Sequence, residues 1–110
     1  MTYEVALALT LAVEVPLAVA LAGAGARRRA LVDAPLLQLL THPLACAAYL
    51  RLGLPLVPIE LAVTVVEAVG YRVATGLTWR RAALVSLACN AVTTGLGLAL
   101  ARTAAAGAGA

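Results

Sequence analysis

Hydrophobic positions follow one another along this chain in four segments, which short clusters of Arg, Gly and Pro separate. A helix of about 20 apolar residues is long enough to cross the hydrocarbon core of a bilayer. The pattern therefore predicts helices over residues 3–22, 34–50, 55–74 and 82–102, with a flexible tail at 103–110. We expect a single transmembrane domain over residues 1–102, of the fold class all-α, built as a polytopic membrane four-helix bundle.

Each predicted helix also carries polar residues along one face. Their spacing follows i, i+4, i+7 and i+11, which places them in a single stripe on a helix. The stripes contain Tyr3, Thr10 and Glu14 in the first helix, where the apolar Leu7 takes the remaining position, Gln38, His42 and Tyr49 in the second, Glu60, Thr64, Glu67 and Tyr71 in the third, and Ser86, Asn90, Thr93 and Gly97 in the fourth. The stripe of the third helix is the most informative, because it holds two carboxylates.

Carboxylates on membrane helices are costly when they face lipid. One ionised side chain at the bilayer centre costs roughly 2.5–3.5 kcal/mol, so three glutamates cost on the order of 10 kcal/mol. We therefore expect the four stripes to converge on a shared polar interior. Glu14, His42 and Asn90 fall near the middle of their helices, while Glu60 lies nearer the outer face and Glu67 nearer the cytoplasmic face.

This predicted ladder of interior groups suggests two functions. Buried acids in membrane helices commonly mark pathways for protons or ions, which favours a transporter or an ion- or proton-coupled membrane module. The predicted ion, proton or ligand-binding residues are Glu14, Glu60, Glu67, His42, Asn90 and Tyr71. The alternative is a static network in which the glutamates bond to Asn90 or Gln38, within a non-catalytic membrane subunit or interaction protein.

A second face of the fourth helix consists of small residues. Ala91, Gly95 and Ala99 recur at four-residue spacing. Small side chains allow helices to approach closely in a membrane, so we expect this face to pack against another helix. That helix belongs to the same chain, to a second copy in a homo-oligomer, or to a partner in a larger membrane complex.

Composition and charge support the membrane assignment. The 110 residues are 64 % hydrophobic, which is more apolar surface than a soluble domain of this length can bury. The net charge of +3 comes from eight arginines that flank the apolar segments, so they indicate topology and not a nucleic-acid surface. With the N-terminus outside, six of these arginines lie on the inner side, including the clusters Arg27, Arg28, Arg29 and Arg80, Arg81.

The reverse orientation would place only two arginines inside. The positive-inside rule therefore predicts a multi-pass protein of a bacterial or archaeal plasma membrane with both termini outside. The lipid bilayer is the predicted partner, and a proton or small cation is the predicted ligand. We expect no nucleic-acid partner.

The cysteines do not form a recognisable site in the sequence. Cys46 and Cys89 lie in apolar segments without CxxC spacing. His42 and Cys46 are four residues apart, but no second His/Cys pair would complete a metal site. We therefore expect no metal site, no cofactor, no catalytic residues and no enzyme activity.

Several motifs together resemble a set of small prokaryotic four-helix integral membrane proteins. They are EVP at Glu14–Pro16, THPL at Thr41–Leu44, the acidic stretch Glu60–Arg72, and Arg80–Asn90 followed by Gly95 and Gly97. This resemblance covers most of the chain and implies the architecture but no activity. Glu14 is also placed similarly to the first-helix glutamate of small multidrug resistance transporters, although the second and third helices here are not aromatic-rich.

The stretch Glu67–Arg72, EAVGYR, resembles the EExxxR signature of CAAX-processing intramembrane proteases. Ala68 stands where that family has its second glutamate, and the following helix offers Asn90 where the family has a histidine. A glutamate-activated water needs a correctly placed partner. The resemblance implies proteolysis only as a third interpretation.

Overall fold

Four α-helices make up most of the described chain, which covers residues 2–109 of this computed structural model. They are α1 (Tyr3–Ala22), α2 (Arg27–Leu50), α3 (Leu56–Val73) and α4 (Trp79–Gly109), with a 3₁₀ turn (Ala24–Ala26) between α1 and α2. The predicted all-α four-helix fold is confirmed. Gly23 follows α1 with φ 93°, a backbone conformation that favours glycine and turns the chain towards α2.

Three helix boundaries differ from the prediction by more than one residue, namely the start of α2 and both ends of α4. The second helix begins at Arg27 and not at 34, because the segment after the 3₁₀ turn contains good helix formers and no Gly or Pro before Pro35. Asp33, a residue type common at helix starts, therefore lies inside α2. The last helix begins at Trp79 and not at 82, and it continues beyond 102 to Gly109, where alanine-rich sequence favours helix. The flexibility of 103–110 stays a prediction, and residue 110 lies outside the described residues.

The helices form a square arrangement in which each one packs against two others. The contacting pairs are α1–α2, α2–α3, α3–α4 and α4–α1, so neighbours along the chain run antiparallel. The bundle measures 49 × 26 × 22 Å. One end carries the α1–α2 and α3–α4 connections, and we call it the arginine end because six of the eight arginines lie there.

The arginine end is closely packed by small side chains. Its buried residues are Ala18, Ala22, Ala30, Ala34, Tyr71, Leu77, Ala82, Val85 and Cys89. Helices α2 and α3 approach closely at Gly70, where an added methyl group would overlap the side chain of Leu37. Tyr71 fills the space that the alanines leave, and it is the largest fully buried side chain in the described part of the chain.

Polar contacts hold the two connections of the arginine end together. The Thr75 hydroxyl donates to the Asp33 carboxylate at 2.7 Å, and an Arg81 guanidinium nitrogen donates to the Leu21 carbonyl at 2.9 Å. The Arg72 guanidinium lies over the Trp79 ring, 5.6 Å from its centroid. Arg81 thus covers the last turn of α1, where helix carbonyls lack partners within their own helix.

The outer surface of the bundle is rich in large apolar side chains, including Leu36, Leu44, Leu61 and Leu87. Three segments are long and apolar enough to cross a membrane, namely Tyr3–Ala22, Ala24–Leu50 and Trp79–Ala104. Helix α3 does not satisfy the same criterion, since its 18 residues include Glu60, Glu67 and Arg72. A membrane protein is therefore supported by three of the four predicted spans.

Candidate functional site

A polar cavity of about 340 Å³ lies between the four helices, in the half of the bundle opposite the arginine end. Every helix contributes polar side chains to it: Thr10 and Glu14 from α1, Gln38, Thr41, His42 and Tyr49 from α2, Glu60 from α3, and Asn90, Thr93 and Thr94 from α4. Leu56 and Leu98 also line the cavity and are exposed, so it reaches the surface at that end. The described lining contains two glutamates and neither Arg nor Lys.

Glu67 lies beside this cavity, and its carboxyl group is held on both oxygens. Oε1 accepts a hydrogen bond from Asn90 Nδ2 at 2.7 Å. Oε2 accepts from Gln38 Nε2 and, at 3.4 Å, from the Thr41 hydroxyl. Donors from α2 and α4 therefore fix a side chain of α3, which satisfies the requirement that buried charged groups be hydrogen-bonded.

The network continues along the contact between α3 and α4. Asn90 Nδ2 also donates to the Ser86 carbonyl at 2.8 Å, and the Ser86 hydroxyl donates to the Thr64 carbonyl at 2.6 Å. The Thr64 hydroxyl donates to the Glu60 carbonyl of its own helix at 2.7 Å. These bonds set the register of α3 against α4, so they orient Asn90 as well as stabilising the pair.

The environment of the Glu14 carboxyl group differs from that of Glu67. It is only 1 % exposed, yet neither of its carboxyl oxygens has a hydrogen-bond partner among the described residues. The side chain lines the cavity from α1, while its backbone carbonyl accepts a weak hydrogen bond from Cys89 Sγ at 3.7 Å. A buried carboxyl group without partners is costly and is normally explained by a ligand, a proton or water.

His42 lines the same cavity from α2. Its Nε2 atom is buried without a hydrogen-bond partner in the described chain, and its ring lies 5.1 Å from the Tyr3 ring, tilted by 54°. The contact joins the first turn of α1 to α2. Pro43 lies inside α2 directly after His42, as the sequence shows, and α2 continues through it to Leu50.

The remaining predicted site residues lie at different distances from the cavity. Glu60 is half-buried at its edge, between α3 and α4. Tyr71 lies apart from it, buried among the alanines of the arginine end. The structure thus brings Glu14, Glu60, His42 and Asn90 together around one cavity, places Glu67 next to it, and separates Tyr71 from it.

Six polar residues of the site were not among the predicted site residues, namely Thr10, Gln38, Thr41, Tyr49, Thr93 and Thr94. Gln38 and Thr41 donate to Glu67, and Thr93 lines the cavity. Gln38 and Thr93 belong to the polar stripes, so the sequence could have indicated them as site residues. The indication for Thr41 was weaker, because it rests only on its position three residues after Gln38 on the same helix face.

Metal-binding side chains do not cluster in the described part of the chain, where no group of three or more His, Cys, Asp or Glu residues could hold an ion. Cys46 is half-buried near Tyr3 and Pro43, whereas Cys89 is buried in the core of the arginine end. The expected absence of a cofactor stays a prediction.

The small-residue face of α4 lies on the outer surface of the bundle. Ala91, Gly95 and Ala99 are all exposed, and a methyl group on Gly95 would meet no atom within 4 Å. This face therefore does not pack against another helix of the described chain.

Two apolar grooves of about 320 and 280 Å³ flank the first half of α3, one between α3 and α2 and the other between α3 and α4.

Comparison of the chain with models of known protein families, with curated proteins and with solved structures gives no match. The resemblances to small prokaryotic membrane proteins, to small multidrug resistance transporters and to CAAX-processing proteases therefore stay predictions. Function has to be argued from the site itself.

Proposed function

We propose that this chain is a small membrane transporter or an ion- or proton-coupled membrane module, whose polar interior binds a proton or a small cation. The observation that carries the proposal is the carboxyl group of Glu14, which is buried inside the bundle, has no hydrogen-bond partner in the part of the chain that the structure describes, and borders a cavity that all four helices line. Ionisable groups inside membrane bundles characteristically belong to ion pathways or proton relays.

The proposal requires α3 to cross the membrane together with the other helices. Its outward side carries an exposed apolar stripe at four-residue spacing, formed by Val57, Leu61, Val65, Val69 and Val73. Glu67 and Tyr71 are buried on the inward side. At 1.5 Å per residue, its 18 residues extend about 27 Å, close to the hydrocarbon thickness of about 30 Å. Lipid would thus contact valine and leucine and not the acids.

The proposed orientation puts the arginine end in the cytoplasm. The bundle gathers six arginines at that end and leaves Arg51 and Arg102 for the other side, which supports both termini outside by the positive-inside rule. A bacterial or archaeal plasma membrane is the proposed location. The cavity then faces the outside, and the packed arginine end separates it from the cytoplasm.

The two buried glutamates have different roles in this proposal. Glu67 is fully hydrogen-bonded and fixes the helices around the site, whereas Glu14 is free to exchange its ligand. His42, Glu60 and Asn90 shape the cavity, and Tyr71 closes the bundle below it. Release to the cytoplasm requires a second arrangement of the helices that opens the arginine end, as in alternating access.

Proton release from the detergent-purified protein between mildly acid and mildly alkaline pH tests the proposal. Native protein is compared with Glu14→Gln and Glu67→Gln, and with Glu4→Gln as a matched control on the exposed first turn of α1. The ionisable side chains on or beside the cavity are Glu14, His42, Tyr49, Glu60, Glu67 and Cys89. We expect a titration in this range that Glu14→Gln removes and Glu4→Gln retains. The lack of such a titration, or one that Glu14→Gln leaves unchanged, would contradict the proposal.

One observation favours a second function, a non-catalytic membrane subunit that pairs with a partner or a second copy. The face formed by Ala91, Gly95 and Ala99 is exposed in the single chain, and such faces commonly join membrane helices. Under this alternative, Gly95→Leu breaks assembly in cross-linking and light-scattering measurements, while Glu14→Gln is nearly silent. Intact assembly of Gly95→Leu would count against it.

A further inference from the structure

From the orientation of the side chains around the cavity, we infer that it binds one monovalent alkali cation. Glu14 and the side-chain amide oxygens of Gln38 and Asn90 supply its ligands. This inference rests on the proposed function and deepens it, because it replaces "proton or cation" with a metal ion bound by oxygen atoms. The inference follows from which atoms of these side chains already take part in hydrogen bonds.

Hydrogen bonds to Glu67 fix the orientation of the side-chain amides of Gln38 and Asn90. Both nitrogens donate to the Glu67 carboxyl group, and Glu67 is not among the residues that line the cavity. Gln38 and Asn90 do line it. The nitrogen of each amide donates to Glu67, so the amide oxygen is the atom that can face the cavity. Neither oxygen accepts a hydrogen bond from a described residue. Glu67 therefore acts as a positioning residue that presents two carbonyl oxygens to the site.

The threonine hydroxyls on the cavity also leave oxygen lone pairs available. Thr93 donates to the Cys89 carbonyl at 3.0 Å, and Thr41 shares its single hydrogen between the Leu37 carbonyl at 2.9 Å and Glu67 Oε2 at 3.4 Å. Each hydroxyl has one hydrogen and two lone pairs, so a hydrogen committed in this way leaves lone pairs on the oxygen. The lining shared with Glu14 therefore supplies several acceptor oxygens, and the hydroxyl oxygens of Thr10, Tyr49 and Thr94 lie on the same cavity.

Such an arrangement fits a hard cation. Carboxylate, amide and hydroxyl oxygens are the ligands that these ions prefer, whereas the soft ligands Cys and His are needed for most transition metals. A proton alone would neutralise Glu14 and leave the two amide oxygens to water, whereas a cation uses the carboxylate and both amide oxygens together. The absence of a His, Cys, Asp and Glu cluster in the described chain agrees with this donor set, which contains one fully buried carboxylate only.

Charge and volume favour a monovalent ion. Glu14 is the one fully buried carboxylate on the cavity that lacks hydrogen-bond donors, while Glu60 is half-buried at its edge. A single positive charge balances Glu14, whereas a divalent ion would bring an additional charge into the bundle. The cavity of about 340 Å³ has room for roughly ten water volumes, so the ion can retain part of its hydration shell.

Thermal unfolding of the detergent-purified protein in choline chloride, NaCl, KCl, LiCl, CaCl₂ and MgCl₂ at constant ionic strength tests the inference. A ligand that binds only the folded state raises the unfolding midpoint progressively with its concentration. We expect at least one alkali cation to raise the native midpoint above that in choline. Glu14→Gln should weaken the apparent ion affinity by about 100-fold or more, since even outer partners of metal ligands contribute roughly 10–100-fold. Glu4→Gln should retain the native response.

Three outcomes would overturn the inference. The first is a native midpoint equal in choline and in all three alkali salts. The second is stabilisation by Ca²⁺ or Mg²⁺ alone, and the third is an equal alkali response in Glu14→Gln. The line width of the ²³Na resonance, with and without native protein, provides a measurement that needs no variant. If Glu14-dependent proton release persists without any alkali effect, the inference fails while the proposed proton-coupled function stands; if both are absent, both fail.

Discussion

The side-chain amide of Asn90 donates a hydrogen bond of 2.7 Å to the carboxyl group of Glu67, and it links α4 to α3 inside the bundle. Glu14, on the opposite side of the same interior, has no such donor among the described residues. Two glutamates of similar burial are thus held in different ways. One is part of the hydrogen-bonded framework, and the other is the group to which we assign a ligand.

Asn90→Leu should destabilise the protein, because it leaves Glu67 Oε1 buried without its donor. A buried acceptor that loses its partner costs about 1–3 kcal/mol, and charged acceptors cost more. The free energy of unfolding in mixed micelles measures the loss. Replacing the whole buried cluster, as Asn90→Leu with Glu67→Leu and Gln38→Leu, should recover most of it, because no buried donor or acceptor of the three is then left without its partner. Thr103→Val is the control, since that exposed hydroxyl bonds only within α4. A triple variant as unstable as Asn90→Leu alone would disprove the coupling.

Glu14→Met should stabilise the folded protein in choline buffer, where no alkali cation is present. The change removes a carboxyl group that the bundle buries without hydrogen bonds, and such a group costs about 1–3 kcal/mol. The unfolding midpoint measures the gain, with Glu4→Met as the exposed control. The same variant should lose every response to cations. A lower midpoint than native would show that the Glu14 carboxyl gains a stabilising partner inside the cavity.

Gly70→Leu should weaken the contact between α2 and α3. Even a methyl group at this position overlaps the Leu37 side chain, and overpacking of this kind costs about 1–3 kcal/mol. Gly70→Ala should cost less, because the end of the Leu37 side chain can move. Adding Leu37→Ala to Gly70→Ala should restore the unfolding midpoint. Gly95→Ala, where the new methyl meets open space, should leave the midpoint nearly unchanged.

Labelling of introduced cysteines should report the proposed orientation. In a background with Cys46→Ala and Cys89→Ala, Leu52→Cys lies at an exposed position between α2 and α3. Gly25→Cys lies in the 3₁₀ turn at the arginine end, where the side chain has open space. An impermeant maleimide should label Leu52→Cys on intact cells and Gly25→Cys only after permeabilisation. The reverse pattern would place the termini in the cytoplasm.

The hydrophobic pattern predicted the four helices and the polar face of each one, because helix periodicity is a local property. It could not predict which carboxyl group would find donors. Glu14 and Glu67 both belong to polar stripes, and their different environments depend on the register of α3 against α2 and α4. Contacts distant in sequence set that register, among them Gly70 with Leu37 and Ser86 with Thr64.

Tyr71 illustrates a second limit of the pattern. It shares a stripe with Glu60, but 11 residues of helix extend about 16 Å, which leads from the cavity into the packed end of the bundle. A stripe therefore predicts the direction of a side chain and not the depth at which the interior changes from polar to apolar. The early start of α2 was missed because Asp33 followed by Pro35 is typical of a helix start, whereas both residues lie inside α2.

The position of the cavity, opposite the arginine end, also determines how a bound ion experiences the electrical potential of the membrane. Moving one elementary charge across the full potential is worth about 2.3 kcal/mol per 100 mV. In the proposed orientation, a cation that enters from outside and binds about midway, at Glu14, crosses roughly half of that potential. The gain of about 1.1 kcal/mol corresponds to about a sevenfold change in affinity at 100 mV, inside negative. Occupancy of the site would thus follow the energisation of the cell through location alone, without a voltage-sensing helix.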